Sequence, residues 1–135
     1  TRELGIGFVA YSPLGRGFLT GTAKPSAEYE ESDMRRFDPR WQEGNFEKNL
    51  DAVRQLGELA QAKGITVSQL ALAWLLAQGE DIVPIPGTRR IGRLEENLAA
   101  AAVTLTADDL VRIGNILPDG AFGARYAGDM VPDWI

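Results

Sequence analysis

IGFVAYSPLGRGFLTG, residues 6 to 21, is an apolar run that breaks into an aromatic, a Ser-Pro pair and three glycines. The run from Ile6 to Tyr11 has the near-continuous apolar pattern of a strand buried in a parallel sheet. The segment after Tyr11 does not have hairpin chemistry. Gly15 and Gly17 leave the backbone open to close approach, because a residue without Cβ lets another group reach the main chain. The fold and the function both turn on what that group is.

The rest of the chain narrows the choice. It has 135 residues, 44% of them hydrophobic and 24% charged, enough for one modest core. A net charge of −5 argues against diffuse nucleic-acid binding, although local basic spots remain possible. There are no cysteines and no histidines. Disulfides, thiolate metal sites, the usual hydrolase triads and most zinc sites are therefore excluded. The longest apolar block, Leu70 to Ala77, is too short to span a bilayer. Thr1-Arg2-Glu3-Leu4-Gly5 has no signal-peptide pattern and reads like the last turn of a helix with its glycine stop, so a fragment is expected.

A long irregular stretch, Ser12 to Asn45, comes after the first strand. It is broken by Pro13, Pro25 and Pro39, and its acidic middle, residues 28–33, is expected to be mobile. Phe46, Leu50, Val53, Leu56 and Ala60 step at helical spacing, and Gly64 stops that helix. Thr66-Val67-Ser68-Gln69 has capping-box form and opens a second, more apolar helix running to Gln78. Trp74 on that helix reads as core and is given no role. Ile82 to Ile85 forms a second strand despite its proline, and Pro86-Gly87-Thr88 breaks it. A third helix is expected from Arg90 to Ala102, with Ile91, Leu94, Leu98 and Ala101 on one face. Thr106 to Asp109 opens a fourth, ending before Pro118. The tail, Asp119 to Ile135, holds Tyr126 and Trp134 and shows no period.

This order predicts an α/β fold with parallel strands. Two parallel strands need neighbours on both edges, and a barrel of this kind takes roughly eight strands and ~250 residues. The sequence thus describes part of a larger object.

Gly5-Ile6-Gly7-Phe8-Val9-Ala10 fits G-x-G-x-x-[GA], but the dinucleotide fingerprint needs its glycines after a strand and at a helix start. Here they precede the strand, and Ser12-Pro13 starts no helix. Gly15-Arg16-Gly17 lacks the ending of a P-loop. Both motifs are rejected. The two strand ends are better candidates, since ligands of βα barrels bind on that face. Thr88, Arg89 and Arg90 stand at the start of the third helix, with Arg93 one turn on, where free amides and the helix dipole favour an anion. The cluster is either a phosphate site or a solvated basic face. Tyr11 is either a core aromatic with its hydroxyl at the rim or a stacking platform for a flat heterocycle.

Together, AYSPLGRGFLTG and PIPGTRRIGRLEEN resemble the aldo-keto reductase superfamily, and most nearly its bacterial, fungal and plant reductases related to potassium-channel β subunits. The similarity extends through NFEKNLDAVRQL and TVSQLALAWLLAQG. It implies the C-terminal portion of a (β/α)₈ TIM barrel, with two βα units plus extra helices, across residues 1–135. It also implies NADP(H), a small-molecule carbonyl substrate, a partner in the missing N-terminal part of the barrel, no nucleic acid, no membrane and a cytoplasmic location.

On this resemblance the group brought close to the backbone is the cofactor. Tyr11 stacks on the nicotinamide, and Ser12, Pro13, Leu14 and Gly15 hold the pyrophosphate. Arg16 and Gly17 belong to the segment that folds over it. Thr88 and Arg93 contact the 2′-phosphate side, while Glu96 and Asn97 reach the adenosine. Many members have lysine where this chain has Gly87, and Arg89 or Arg90 stands in as the replacement contact. The family's catalytic Asp, Tyr, Lys and His lie on earlier strands, so no catalytic residue is assigned here, and no metal. The resemblance thus implies the cofactor half of an NADPH-dependent reductase of aldehydes or ketones, inactive alone. The alternative is a non-catalytic nicotinamide-nucleotide-sensing or interaction module of channel β-subunit type. The loop around Met34 to Trp41 and the tail near Tyr126 border the substrate pocket.

Overall fold

The computed structural model describes residues 1–128. Trp134, in the tail read as aperiodic, lies outside them. A short β1 (Phe8–Ala10) runs parallel to β2 (Ile82–Pro84), in the register Phe8 to Ile82, Val9 to Val83 and Ala10 to Pro84. Pro84 fits because Ile85 N donates across the seam to Ala10 O at 3.1 Å. Successive strand residues alternate in direction, so the prolyl nitrogen faces the outer edge, where no ladder bond is lost.

The strands are not buried as their composition predicts. Phe8, Val9, Val83 and Ile85 are all about half exposed. In a sheet of two strands each has one free edge, and only one face is covered.

Four helices accompany the pair, with α2 packed against β2: α1 (Asn45–Ala62), α2 (Val67–Leu76), α3 (Ile91–Ala99) and α4 (Ala107–Ile116). A short 3₁₀ turn, Ala100–Ala102, extends α3 to the expected end. The capping box at α2 is present: Gln69 N donates to Thr66 Oγ1 at 3.2 Å, and Thr66 N donates to Gln69 Oε1 at 3.0 Å. Thr106 and Asp109 make the same exchange at α4. Each such cap contributes about 1 kcal/mol by satisfying amides that the first helical turn leaves free.

Leu56, Leu59 and Ala60 of α1, Leu70 of α2 and Ile113 of α4 form one core. Lys63 Nζ bridges to Asp109 Oδ2 at 2.7 Å and ties the end of α1 to α4. The predicted apolar face of α3 has no such partner. Ile91, Leu94 and Leu98 are exposed, because no described element packs against that side.

The stretch from Ser12 to Asn45 is not structureless. It winds through four short 3₁₀ turns around a second core of Phe18, Trp41, Phe46 and Val53. The ring centroids of Phe18 and Trp41 are 4.3 Å apart, and those of Phe18 and Phe46 are 5.6 Å apart. The acidic run expected to lie loose is tied down. Arg35 stacks 3.9 Å from the Tyr29 ring centre and pairs with Asp33 at 2.5 Å. Aromatic burial and a stacked cation supply the order that periodicity does not show.

Among the described residues, no helix is long and apolar enough to cross a membrane, and no cluster of three or more acidic or metal-ligating side chains could hold a metal ion.

Candidate functional site

The register brings the two strand-end turns side by side. Ala10 pairs with Pro84, so Tyr11 leaves β1 next to the point where Ile85 and Pro86 leave β2. The turn after β1 bends through left-handed backbone at four places: Ser12 (φ 50°), Gly15 (58°), Arg16 (57°) and Gly17 (104°). Among the described residues only Ser12 and Arg16 do so with a side chain. This conformation accounts for both glycines, since a Cβ at either would meet only ordinary contacts.

A side chain held at positive φ persists only where its surroundings over-determine it. Arg16 has such surroundings. One guanidinium nitrogen is bonded to the Asp38 carboxylate and also donates to Arg125 O at 3.0 Å. The Asp38 side chain is fully buried, and its second oxygen accepts Arg40 N at 2.9 Å. The turn is thus anchored from two distant points of the chain.

Behind this turn lies a mainly apolar cavity of about 610 Å³. Phe8 and Ala10 of β1, Leu70 and Trp74 of α2 and Ile113 of α4 form its apolar wall. Trp74 is therefore not a core residue. It is 37% exposed and lines the cavity.

Tyr11 stands at the polar rim, 49% exposed, which removes the core reading of its ring. Its hydroxyl is bonded to that of Tyr126 and accepts from Arg125 Nε at 2.9 Å. The Arg125 guanidinium lies 4.5 Å from the Tyr11 ring centre. Bonding to Tyr11, together with Arg125, holds the Tyr126 hydroxyl below its ordinary pKa.

Arg40 also lines the cavity, and its Nε is buried with no hydrogen-bond partner. Burial pushes this guanidinium down from its ordinary pKa; Asp38 opposes that shift, while Arg16 and Arg125 add to it.

The residues of the first motif gather here: Tyr11, Ser12, Pro13 and Gly15 line the cavity, while Leu14 and Gly17 shape the turn. The second motif does not join them. Gly87, Thr88, Arg89 and Arg90 are exposed beyond the end of β2. Thr88 Oγ1 accepts from Arg90 N at 3.2 Å, an interaction within its own turn. α3 opens with no side-chain cap, so its first amides present an uncompensated positive pole.

Arg93 is 48% exposed and pairs with Glu96 Oε2 at 2.5 Å. Burial pulls the Glu96 carboxyl upward, but Thr66 and Arg93 outweigh it and hold it below its ordinary value. The backbone oxygen of Glu96 accepts from Gln69 Nε2 at 3.2 Å, fixing α3 and the half-buried Asn97 against the start of α2.

A dinucleotide fits these features on two counts. The first turn, with its left-handed bends, and the start of α3, whose first amides have no side-chain acceptor, both lie at the carboxyl ends of parallel strands, where phosphates are held. Tyr11 presents an accessible ring between the turn and the cavity. Arg40, Asp38 and Arg125 carry no sequence signal of their own, and only the neighbourhoods of residues 34–41 and Tyr126 were expected at the pocket. The Asp38–Arg16 and Arg125–Tyr11 contacts span 22 and 114 residues, and no local pattern signals such contacts.

The family model for the aldo/keto reductase family matches residues 1–118. The NADP(+) aldo-keto reductase yakc of Schizosaccharomyces pombe is 49% identical over 126 residues, covering 93% of this chain and 37% of that protein. Probable aldo-keto reductase 1 of Glycine max is 46% identical over 126 residues, again 93% of this chain, and 36% of its own length. The chain thus spans little more than a third of these curated relatives. Among solved structures, the glycerol dehydrogenase of Gluconobacter oxydans superposes with a TM-score of 0.79 at 27% identity, over 97% of this chain and 39% of that one.

Proposed function

We propose, from the premise that this chain belongs to the aldo/keto reductase family, that it is the cofactor-holding part of an NADPH-dependent reductase of aldehydes or ketones. On this reading residues 1–135 supply two βα units of a (β/α)₈ barrel. The observation that carries it is the adjacency of the two strand-end turns, with the Tyr11 ring accessible between the first turn and an apolar cavity. The relatives reported are named as reductases and a dehydrogenase, which leaves the nucleotide-sensing alternative without a supporting observation.

The cofactor, when bound, supplies a hydride to the carbonyl carbon. The chain's own residues bind and orient. Tyr11 flanks the flat ring. The backbone of Ser12, Pro13, Leu14, Gly15, Arg16 and Gly17 faces the pyrophosphate, and the buried Arg16–Asp38 pair keeps that turn in its bent form. At the second turn, Gly87 leaves room, while Thr88, Arg89, Arg90 and Arg93 provide the charge for a 2′-phosphate. Glu96 and Asn97 lie on the adenosine side. The apolar wall at Trp74, Leu70 and Ile113 keeps water from the carbonyl-bearing end.

The test compares the complete chain with the 135-residue segment. The complete chain binds NADPH and oxidises it when given an aldehyde, and the segment alone does not turn over. Aldehyde reduction by the segment alone, or no NADPH binding by the complete chain, sinks the reading.

A further inference from the structure

The cavity mouth carries more positive charge than the cofactor assignment uses. Arg16, Arg40 and Arg125 converge there, and the one carboxylate among the described residues that faces them, Asp38, already bonds Arg16. Arg125 is directed at the hydroxyls of Tyr11 and Tyr126. Arg40 is left over. Its main chain is fixed on both sides, with its N–H on Asp38 Oδ1 at 2.9 Å and its C=O receiving Asn49 Nδ2 at 3.2 Å. Its guanidinium nonetheless makes no ion pair among the described residues, and its buried Nε has no acceptor. Three like charges gathered at the rim of an apolar chamber are unfavourable unless a further anion joins them. A guanidinium stays protonated in a protein and offers two parallel N–H groups suited to a carboxylate.

We propose that Arg40, supported by Arg125, is the contact for a carboxylate carried on the substrate, so that the carbonyl compounds this protein takes are aldehyde or keto acids with an apolar body. The proposal rests on the reductase reading above. Arg40 and Tyr11 line the same cavity, so a molecule whose carbonyl lies beside the cofactor ring at Tyr11 can place its acid group at Arg40. The apolar wall between them takes the carbon skeleton. The anion could alternatively be the cofactor's pyrophosphate, and the experiment separates the two sources.

In the complete chain, kcat/KM is measured for 4-carboxybenzaldehyde and for its methyl ester, which has nearly the same shape and no charge. NADPH affinity is measured alongside. The acid is preferred by about 10- to 100-fold, the range for a charge-assisted contact. Arg40→Met brings the acid-to-ester ratio close to one while the NADPH dissociation constant moves less than about threefold. Arg40→Lys, which keeps the charge but loses the fork, retains part of the preference. It also gives a reading if the methionine variant fails to fold.

A ratio unchanged in Arg40→Met overturns the proposal, as does an NADPH affinity that falls in step with the acid's kcat/KM. An enzyme that reduces acid and ester equally well sinks the carboxylate site and leaves the reductase reading standing. A complete chain that neither binds NADPH nor reduces either aldehyde sinks both.

Discussion

Replacing Tyr11 separates a stacking role from a structural one, because the residue is half exposed. The ring is 49% accessible and lies outside both hydrophobic cores. Its removal therefore opens little void, and Tyr11→Ala is expected to change folding stability by no more than about 1 kcal/mol. Part of that change comes from the Arg125 stack, worth about 0.5–1 kcal/mol at an exposed site.

The effect on the cofactor is larger. Losing a stacked aromatic under a flat ring costs about 1–3 kcal/mol, or about 5- to 150-fold in the NADPH dissociation constant. Tyr11→Phe keeps the ring and removes only the hydroxyl that accepts from Arg125 and meets Tyr126, so its affinity stays within about threefold of the parent. The assay is a fluorescence titration of NADPH into the complete chain and both variants, paired with urea unfolding. If Tyr11→Ala binds NADPH as tightly as the parent, the stacking argument is wrong. If it unfolds with no separable change in affinity, Tyr11 is a structural residue despite its exposure.

Three further outcomes rest on the geometry. Arg93→Ala weakens NADPH by about 10-fold or more, the scale of a charge-assisted contact, and leaves NADH nearly unchanged; equal losses for the two cofactors would show that Arg93 serves only to hold Glu96. Asp109 is held at about 2, below its ordinary 3.8, first by Lys63 and then by Thr106. Its folded value is depressed, so its contribution is present above the ordinary value and is lost as pH falls towards 2. The stability gap between parent and Asp109→Asn in urea melts should accordingly be full at pH 7 and close between about pH 4 and 2, and a gap independent of pH would refute the assignment. Trp41 is 2% exposed, but its indole N–H is buried without an acceptor. Trp41→Ala should cost about 3–5 kcal/mol. Trp41→Phe should cost less than about 1.5 kcal/mol, because losing the unsatisfied donor offsets part of the void; equal destabilisation of the two would count against that account.

The helices, their caps and the two strands were legible because each rests on residues a few positions apart. Thr66 and Gln69 cap α2 through bonds spanning three residues, and the 3.6-residue period of α1 is written in Phe46, Leu50, Val53, Leu56 and Ala60, of which only Leu50 is left exposed. The family resemblance likewise came from two local motifs, one at each strand end, and the family model matches across both. Tertiary structure alone decided which residues those motifs meet. It turned Trp74 from core to cavity wall and gave the stretch from Ser12 to Asn45 its own aromatic core. It joined Arg93 to Glu96, and it left the apolar faces of β1, β2 and α3 open. It also brought Arg16, Asp38, Arg40 and Arg125 to one rim across more than a hundred residues. The physical reason is range: a helix or a cap is decided by neighbours in sequence, whereas a buried charge and the partner it finds depend on packing between segments that no local period records.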